Sequence, residues 1–300
     1  MPPIFARLYA NPYFVLPATC LMWAGNSIVG RLAVGEITPM ALTFLRWFFV
    51  CVLMALFYRR RALEALPALR GRWPWLIAMA ALGYTGFNAF LYAAAHRTGA
   101  VNLTMLQASV PVMVLVGGAV LFRAQVTPLQ MLGTALTLIG VAVVASGGEI
   151  DRLKALAFNL GDVYMLIACL FYAFYTLGLR SRPDLPGLSL LTWFSVVATA
   201  TSFVLFAYEA AIGDFFWPTW KGWLLLTYAV ICPSLLSQIF YMRGVELIGP
   251  GRAGLFINLV PVFGALMAVF FLREPFGWAD AGAAALVFGG IGVAEAGKRA

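Results

Sequence analysis

The stretch Gly99-Ala100-Val101-Asn102-Leu103-Thr104-Met105-Leu106-Gln107-Ala108-Ser109-Val110-Pro111-Val112 returns 150 residues later as Gly249-Pro250-Gly251-Arg252-Ala253-Gly254-Leu255-Phe256-Ile257-Asn258-Leu259-Val260-Pro261-Val262. Gly99 falls on Gly249, Val110-Pro111-Val112 on Val260-Pro261-Val262 and, further on, Arg123 on Arg273. Dropping one residue from the offset carries the match on, setting Gly133, Ala135, Gly140, Val144 and Ala145 on Gly282, Ala284, Gly289, Val293 and Ala294. A proline inside an apolar run removes a helix hydrogen bond and usually bends the helix. The same proline at the same place in both halves predicts two halves that bend alike.

Outward from that repeat, the chain is apolar almost throughout. Of its 300 residues, 63% are hydrophobic and 11% charged, and the mean hydropathy is +0.91, values that exclude an ordinary soluble domain. A spanning helix needs roughly 20 apolar residues. Ten runs qualify, near 12–34, 38–58, 74–95, 99–121, 127–146, 160–180, 187–208, 221–242, 252–272 and 277–296. They predict an all-α integral membrane protein of ten transmembrane helices. Residues 1–146 form the first five-helix repeat, 147–159 the linker and 160–300 the second repeat. Five is odd, so the second repeat enters the membrane upside down relative to the first. The loops agree: the one after the second run carries Arg59, Arg60, Arg61, Arg70 and Arg72, whereas its equivalent after the seventh carries Glu209, Asp214 and Lys221. No cleaved leader is expected, because the first run is too long for one and a second follows closely.

The net charge of +8 reads as topology. With the N-terminus inside, thirteen arginines and lysines lie on the cytoplasmic side and six on the other, which places both termini in the cytoplasm. No nucleic-acid partner is expected. Cys20, Cys51, Cys169 and Cys232 fall far apart within apolar runs and have no metal-ligand spacing, so neither metal nor cofactor is expected.

Polar side chains inside a span face the protein interior or a water-filled path. Helical spacing groups them into stripes: Trp23, Asn26, Ser27 and Gly30 in run one; Tyr84, Asn88 and Tyr92 in run three; Tyr164, Ala168, Phe171 with Tyr172, and Tyr175 in run six; Ser234, Ser237, Gln238 and Tyr241 in run eight. Gln107 and Asn258 precede the two prolines. Any one of these suits helix packing as well as ligand binding; four stripes together predict a central aromatic-lined cavity. Arg46 lies about 12 Å into run two at the helical rise. It either faces that cavity and attracts a carboxylate or phosphate, or snorkels to the interface or to freed carbonyls. The candidate cavity residues are thus Trp23, Asn26, Arg46, Tyr84, Asn88, Tyr92, Gln107, Tyr172, Tyr175, Gln238, Tyr241 and Asn258. Pro111 and Pro261 are the candidate hinges, and glycines 117, 118, 282, 289 and 290 the candidate points of close helix approach.

Three segments carry a family resemblance: Arg243-Gly244-Val245-Glu246 through Gly249-Pro250-Gly251-Arg252-Ala253-Gly254-Leu255 and Asn258-Leu259-Val260-Pro261-Val262 to Leu272-Arg273-Glu274-Pro275; Trp23-Ala24-Gly25-Asn26; and Thr43-Phe44-Leu45-Arg46-Trp47. Through them nearly the whole chain resembles the EamA branch of the drug/metabolite transporter superfamily. The first half departs from the pattern where Gln125-Val126 stands for Glu274-Pro275. The resemblance implies a ten-helix inner-membrane permease with inverted five-helix repeats, of a kind that mostly exports amino acids and other small metabolites. The expectation is a multi-pass protein of the bacterial inner membrane that functions as a monomer. Within the family the chain is similar to the YddG-type exporters of aromatic and other neutral amino acids. An aromatic cavity with amide and hydroxyl groups suits such neutral or zwitterionic cargo. The alternatives are an exporter of phosphorylated or nucleotide-linked metabolites, which would call for several cavity cations, and a channel or scaffold. An enzyme is not expected, because the chain has no HExxH, no mid-span aspartate pair and no catalytic residue set. None of the twelve acidic residues falls in mid-span and there is no P-loop, so export without proton exchange or direct ATP drive is the expectation.

Overall fold

The computed structural model describes residues 3–123, 125–145, 159–248, 253 and 256–297. The 147–159 linker therefore lies outside the described residues except for Asn159, as do Gly249 to Arg252. A short helix, Pro3–Tyr9, precedes the bundle. The helices that follow are α1 (Pro12–Leu32), α2 (Pro39–Glu64), α3 (Trp73–Ala95), α4 (Ala100–Phe122), α5 (Pro128–Ala145), α6 (Leu160–Gly178), α7 (Gly187–Ala211), α8 (Trp220–Ile248), α9 (Leu259–Leu272) and α10 (Trp278–Ala296). Among the described residues, seven helical segments, α1 to α4 and α6 to α8, are long and apolar enough to cross a membrane, while α5, α9 and α10 contribute shorter apolar stretches, Pro128–Val143, Leu259–Leu272 and Trp278–Ala294. Local signals start several of them. Proline occupies the first turn of α1 and α2, where its missing N–H costs nothing, and the Asn11, Asn159 and Thr219 side chains cap α1, α6 and α8.

The internal repeat extends into features that composition does not reveal. A π-helical turn interrupts α3 at Ala81–Gly86 and α8 at Ile231–Leu236, again 150 residues apart. α4 breaks at Gln107–Ala108, and the chain turns at Ile257–Asn258 before α9. Arg123 (φ 52°) and Arg273 (φ 54°) end α4 and α9 in the left-handed region, uncommon for side chains of this size. The structure corrects one expectation here. Pro111 and Pro261 do not kink continuous helices; each is the third residue of the segment that restarts after a break, Ser109–Phe122 and Leu259–Leu272. In a first turn the missing N–H has no intrahelical acceptor to lose, so the bends belong to the breaks.

Two pairs of equivalent helices, α2 with α7 and α5 with α10, pack together across the halves and run antiparallel. α2 packs on α7 with Trp193 Nε1 donating to the Ala62 carbonyl at one end (2.9 Å) and Glu209 reaching Thr38, Met40 and Ala41 at the other. α5 packs on α10, with Thr127 meeting Gly297 and Gly140 meeting Ala283. α1 rests on α8 and α9 just as α6 rests on α3 and α4, the same arrangement with the halves exchanged.

Carboxylates tie the halves together at one end. Glu274 caps the start of α4 by accepting the Ala100 and Val101 N–H groups at 2.8 and 2.9 Å, a bidentate contact that the missing side chain of Gly99 leaves room for. Glu209, itself buried, accepts the Thr38 hydroxyl and the Met40 and Ala41 N–H groups at the start of α2. Asp162 accepts from Thr98 and Asn102. In the loop before α2, the Thr219 hydroxyl and then Lys221 hold the Glu36 carboxyl below the usual carboxylate range. The outer surface is apolar: Phe57, Val120, Phe270 and Trp278 are 84%, 73%, 75% and 94% exposed, the face a bilayer would cover.

Candidate functional site

A cavity of about 150 Å³ lies where the repeats meet, walled by α1, α2, α3, α4, α6, α8, α9 and α10. At roughly 10–15 Å³ per water-sized site, it has room for about ten waters, or for one small metabolite in their place.

One wall is polar and centred on Arg46, which is 4% exposed. Its Nε donates to Ser234 Oγ (2.7 Å), and its Nη1 faces Asn26 Oδ1 (2.9 Å), Asn88 Oδ1 (2.7 Å) and the Tyr92 hydroxyl (2.7 Å). The Tyr92 hydroxyl in turn donates to Asn26 Oδ1 at 2.9 Å. The guanidinium carbon lies 5.0 Å from the centre of the Trp47 ring. Among the described residues, neither a carboxylate nor a partner for Nη2 accompanies these groups. A buried cation held only by neutral acceptors keeps its full charge toward the cavity it lines.

The π turns help build this wall. An extra residue in a turn rotates the helix face and frees main-chain groups. In α3 it lets the Tyr84 carbonyl accept from both Trp47 Nε1 and Asn88 Nδ2. In α8 it lets Ser234 Oγ donate five residues back to the Ala229 carbonyl while accepting from Arg46. Ser234 is the 150-residue counterpart of Tyr84.

Beside it the lining is aromatic, continuing from Trp47 to Tyr84 with ring centres 4.7 Å apart. Tyr172 and Tyr175 of α6 pack with ring centres 5.5 Å apart; Tyr175 meets Tyr84 at 5.6 Å and Tyr172 meets Phe87 at 5.1 Å. Gly83 admits this wall, since a Cβ there would sit 2.4 Å from Tyr175 Cγ.

Of the sequence candidates, Trp23, Asn26, Arg46, Tyr84, Asn88, Gln107, Tyr172, Tyr175, Gln238 and Asn258 line the cavity, as do Pro111 and Pro261. Two do not. Tyr92 is fully buried behind Arg46 and acts on it through its hydroxyl. Tyr241 packs on Trp23 with ring centres 5.5 Å apart, behind the lining. Trp47 and Phe87 line the cavity without having been singled out. Trp47 follows Arg46 in the chain, and Phe87 precedes Asn88 just past the π turn, so an ideal-helix stripe misses both. The glycine expectation also needs correction. A Cβ on Gly290 would meet backbone and one on Gly117 would stand 2.4 Å from Leu177 Cδ1, but among the described residues one on Gly282 or Gly289 would meet nothing within 4 Å, and one on Gly118 only the tip of Leu177. The close approach of α5 and α10 instead uses Gly133, Gly140 and Gly290.

A profile of the EamA-like transporter family matches residues 11–146 and, a second time, residues 159–294. The chain belongs to the EamA-like transporter family. It is accordingly a multi-pass membrane transporter. Among relatives, Uncharacterized transporter YyaM of Bacillus subtilis (strain 168) is 26% identical over 187 residues, which are 62% of this chain and 61% of that protein, so the match spans less than two thirds of it. An uncharacterized transporter of Archaeoglobus fulgidus is 26% identical over 273 residues, 88% of this chain and 90% of that one. Uncharacterized transporter YetK of Bacillus subtilis is 24% identical over 298 residues, 96% and 88% of the two chains. A solved crystal structure superposes with a TM-score of 0.63 over 95% of this chain and 96% of the other at 18% identity, which shows a shared fold alone.

Proposed function

We propose that this EamA transporter exports small carboxylate-bearing metabolites, foremost amino acids with aromatic or other apolar side chains, from the bacterial cytoplasm across the inner membrane. The reading takes all ten apolar runs as spans, with both termini inside. The observation that carries it is Arg46, a buried guanidinium without a carboxylate partner among the described residues, in a cavity also lined by Trp23, Trp47, Tyr84, Phe87, Tyr172 and Tyr175. A cargo with a carboxylate at one end and an apolar body at the other matches that polarity. Arg46 is also the sole cation among the described lining residues, which suits one negative charge better than the two of a phosphoryl group. Trp23, Asn26, Tyr84, Asn88, Gln107, Tyr172, Tyr175, Gln238 and Asn258 complete the proposed contact surface, while Tyr92 and Tyr241 support it from behind.

In this reading the two repeats rock about the cavity and expose it to each side in turn. The breaks before Pro111 and Pro261 are where they flex. Replacing both prolines by alanine is expected to slow counterflow by about tenfold and to weaken binding by less than that, because the ring no longer stops the helix from extending back across its break. Unchanged turnover would remove the breaks from the mechanism. The function itself is tested by reconstituting the protein and following counterflow of labelled L-phenylalanine against unlabelled solutes. Competition by neutral amino acids is expected; competition by phosphorylated compounds alone would overturn the reading.

A further inference from the structure

The geometry points to a cavity that recognises the carboxylate of its cargo but not an α-amino group, so that amine-free aromatic carboxylates, such as 2-oxo acids and arylalkanoates, enter on equal terms with amino acids. This inference rests on Arg46 being the carboxylate anchor. An α-ammonium buried in a cavity is normally held by a carboxylate or by several acceptors, because its desolvation must be offset. No aspartate or glutamate lines this cavity among the described residues. The carboxylates whose side chains are described are engaged elsewhere or stand in solvent. Glu209 and Glu274 cap helix starts, Asp162 accepts from Thr98 and Asn102, and Glu36 pairs with Lys221. Glu246 pairs with Arg243 and Asp280 accepts the Gly277 N–H, while Glu64, Asp184 and Asp214 are exposed.

Among its described lining residues the cavity therefore carries one positive charge with no carboxylate beside it. A monoanion cancels it. A zwitterion brings the same carboxylate together with an ammonium whose available partners are the neutral amide oxygens of Gln107, Gln238 and Asn258 and the tyrosine faces. Those groups tolerate an ammonium without requiring it. Discrimination of 10⁴-fold or more against an analogue that lacks a polar group arises where a site's own buried polar group is left unpaired by the loss. Here the neutral amides can pair with water when no amine is present.

The experiment measures binding of L-phenylalanine, 3-phenylpropionate and phenethylamine to the purified full-length protein at pH 7.5, in wild type and in Arg46→Gln. Direct binding avoids the passive leak of weak acids through liposomes. Expected in the wild type are affinities for phenylpropionate and phenylalanine within about threefold of each other, with phenethylamine weaker by on the order of a hundredfold, the size of losing one charged contact. Phenylalanine binding about thirtyfold or more tighter than phenylpropionate would overturn the inference while leaving Arg46 as anchor. Equal binding by wild type and Arg46→Gln, or tightest binding by phenethylamine, would overturn both the anchor and what rests on it. Absence of binding by all three would do the same.

Discussion

Arg46→Gln is expected to weaken carboxylate binding and transport by about a hundredfold or more, since truncating one member of a buried charged contact typically costs 2–5 kcal/mol. The same change should leave the protein folded. Glutamine keeps a donor toward the Asn26, Asn88 and Ser234 oxygens that now surround the guanidinium, and removal of an uncompensated buried charge relieves its desolvation. A melting temperature within a few degrees of wild type, or above it, is the expected control. Arg46→Lys should retain part of the activity, falling by on the order of tenfold, because an ammonium preserves the charge but cannot engage four neutral acceptors from one planar fork. The competing account is that Arg46 only fastens α1, α3 and α8 to α2. It forecasts the reverse pattern: a large loss of stability in Arg46→Gln with ligand affinity unchanged in the protein that folds.

The second large effect falls on the seam between the repeats. A Cβ on Gly133 would stand 2.3 Å from the Gly290 carbonyl oxygen and 2.4 Å from the Ala294 nitrogen; one on Gly290 would stand 2.5 Å from the Gly133 carbonyl oxygen. These are backbone atoms and cannot turn aside as a side-chain tip can. Gly133→Ala and Gly290→Ala should each destabilise the protein by about 3 kcal/mol, at the upper end of ordinary overpacking. Gly282→Ala and Gly289→Ala lie on the same α10, and among the described residues the added Cβ meets nothing within 4 Å. They should be neutral, or more stable by up to about 1 kcal/mol through helix propensity. Thermal unfolding of the four single variants in one detergent reads the contrast. Four similar melting temperatures would mean that α5 and α10 do not meet at these residues.

That contrast also marks where the sequence is legible. The recurrence of Val-Pro-Val and the apolar runs report a periodic, chemically coarse property, and they are enough to forecast an all-helical chain with a repeated half. Which face of a helix meets a neighbour depends on phase. Seven residues separate Gly282 from Gly289, so they share a face, and an apolar sequence in lipid does not distinguish that face from the one carrying Ala283, Val287 and Gly290. Polar residues inside an apolar run are more informative, because each needs a partner. Asn26, Arg46, Asn88 and Gln107 could be placed together for that reason. The π turns leave no mark in an ideal-helix periodicity, because they shift the helix register by a residue. That shift brings Phe87 to the cavity wall along with Asn88. Tyr92, expected at the wall, stands behind Arg46, where its hydroxyl orients the guanidinium. The role of Glu274 was hidden for a different reason. The first half has Gln125 at the equivalent place, so comparing the halves could not reveal a carboxylate that caps the opposite repeat.

The central claim is that a cargo carboxylate sits on Arg46 inside the cavity between the repeats. Its most direct test is the affinity of the purified wild-type protein for L-phenylalanine compared with L-phenylalaninamide, which differs at the carboxyl group alone. The account predicts that the amide binds weaker by about a hundredfold, the cost of one lost charge-assisted contact. Equal affinity for acid and amide would contradict it.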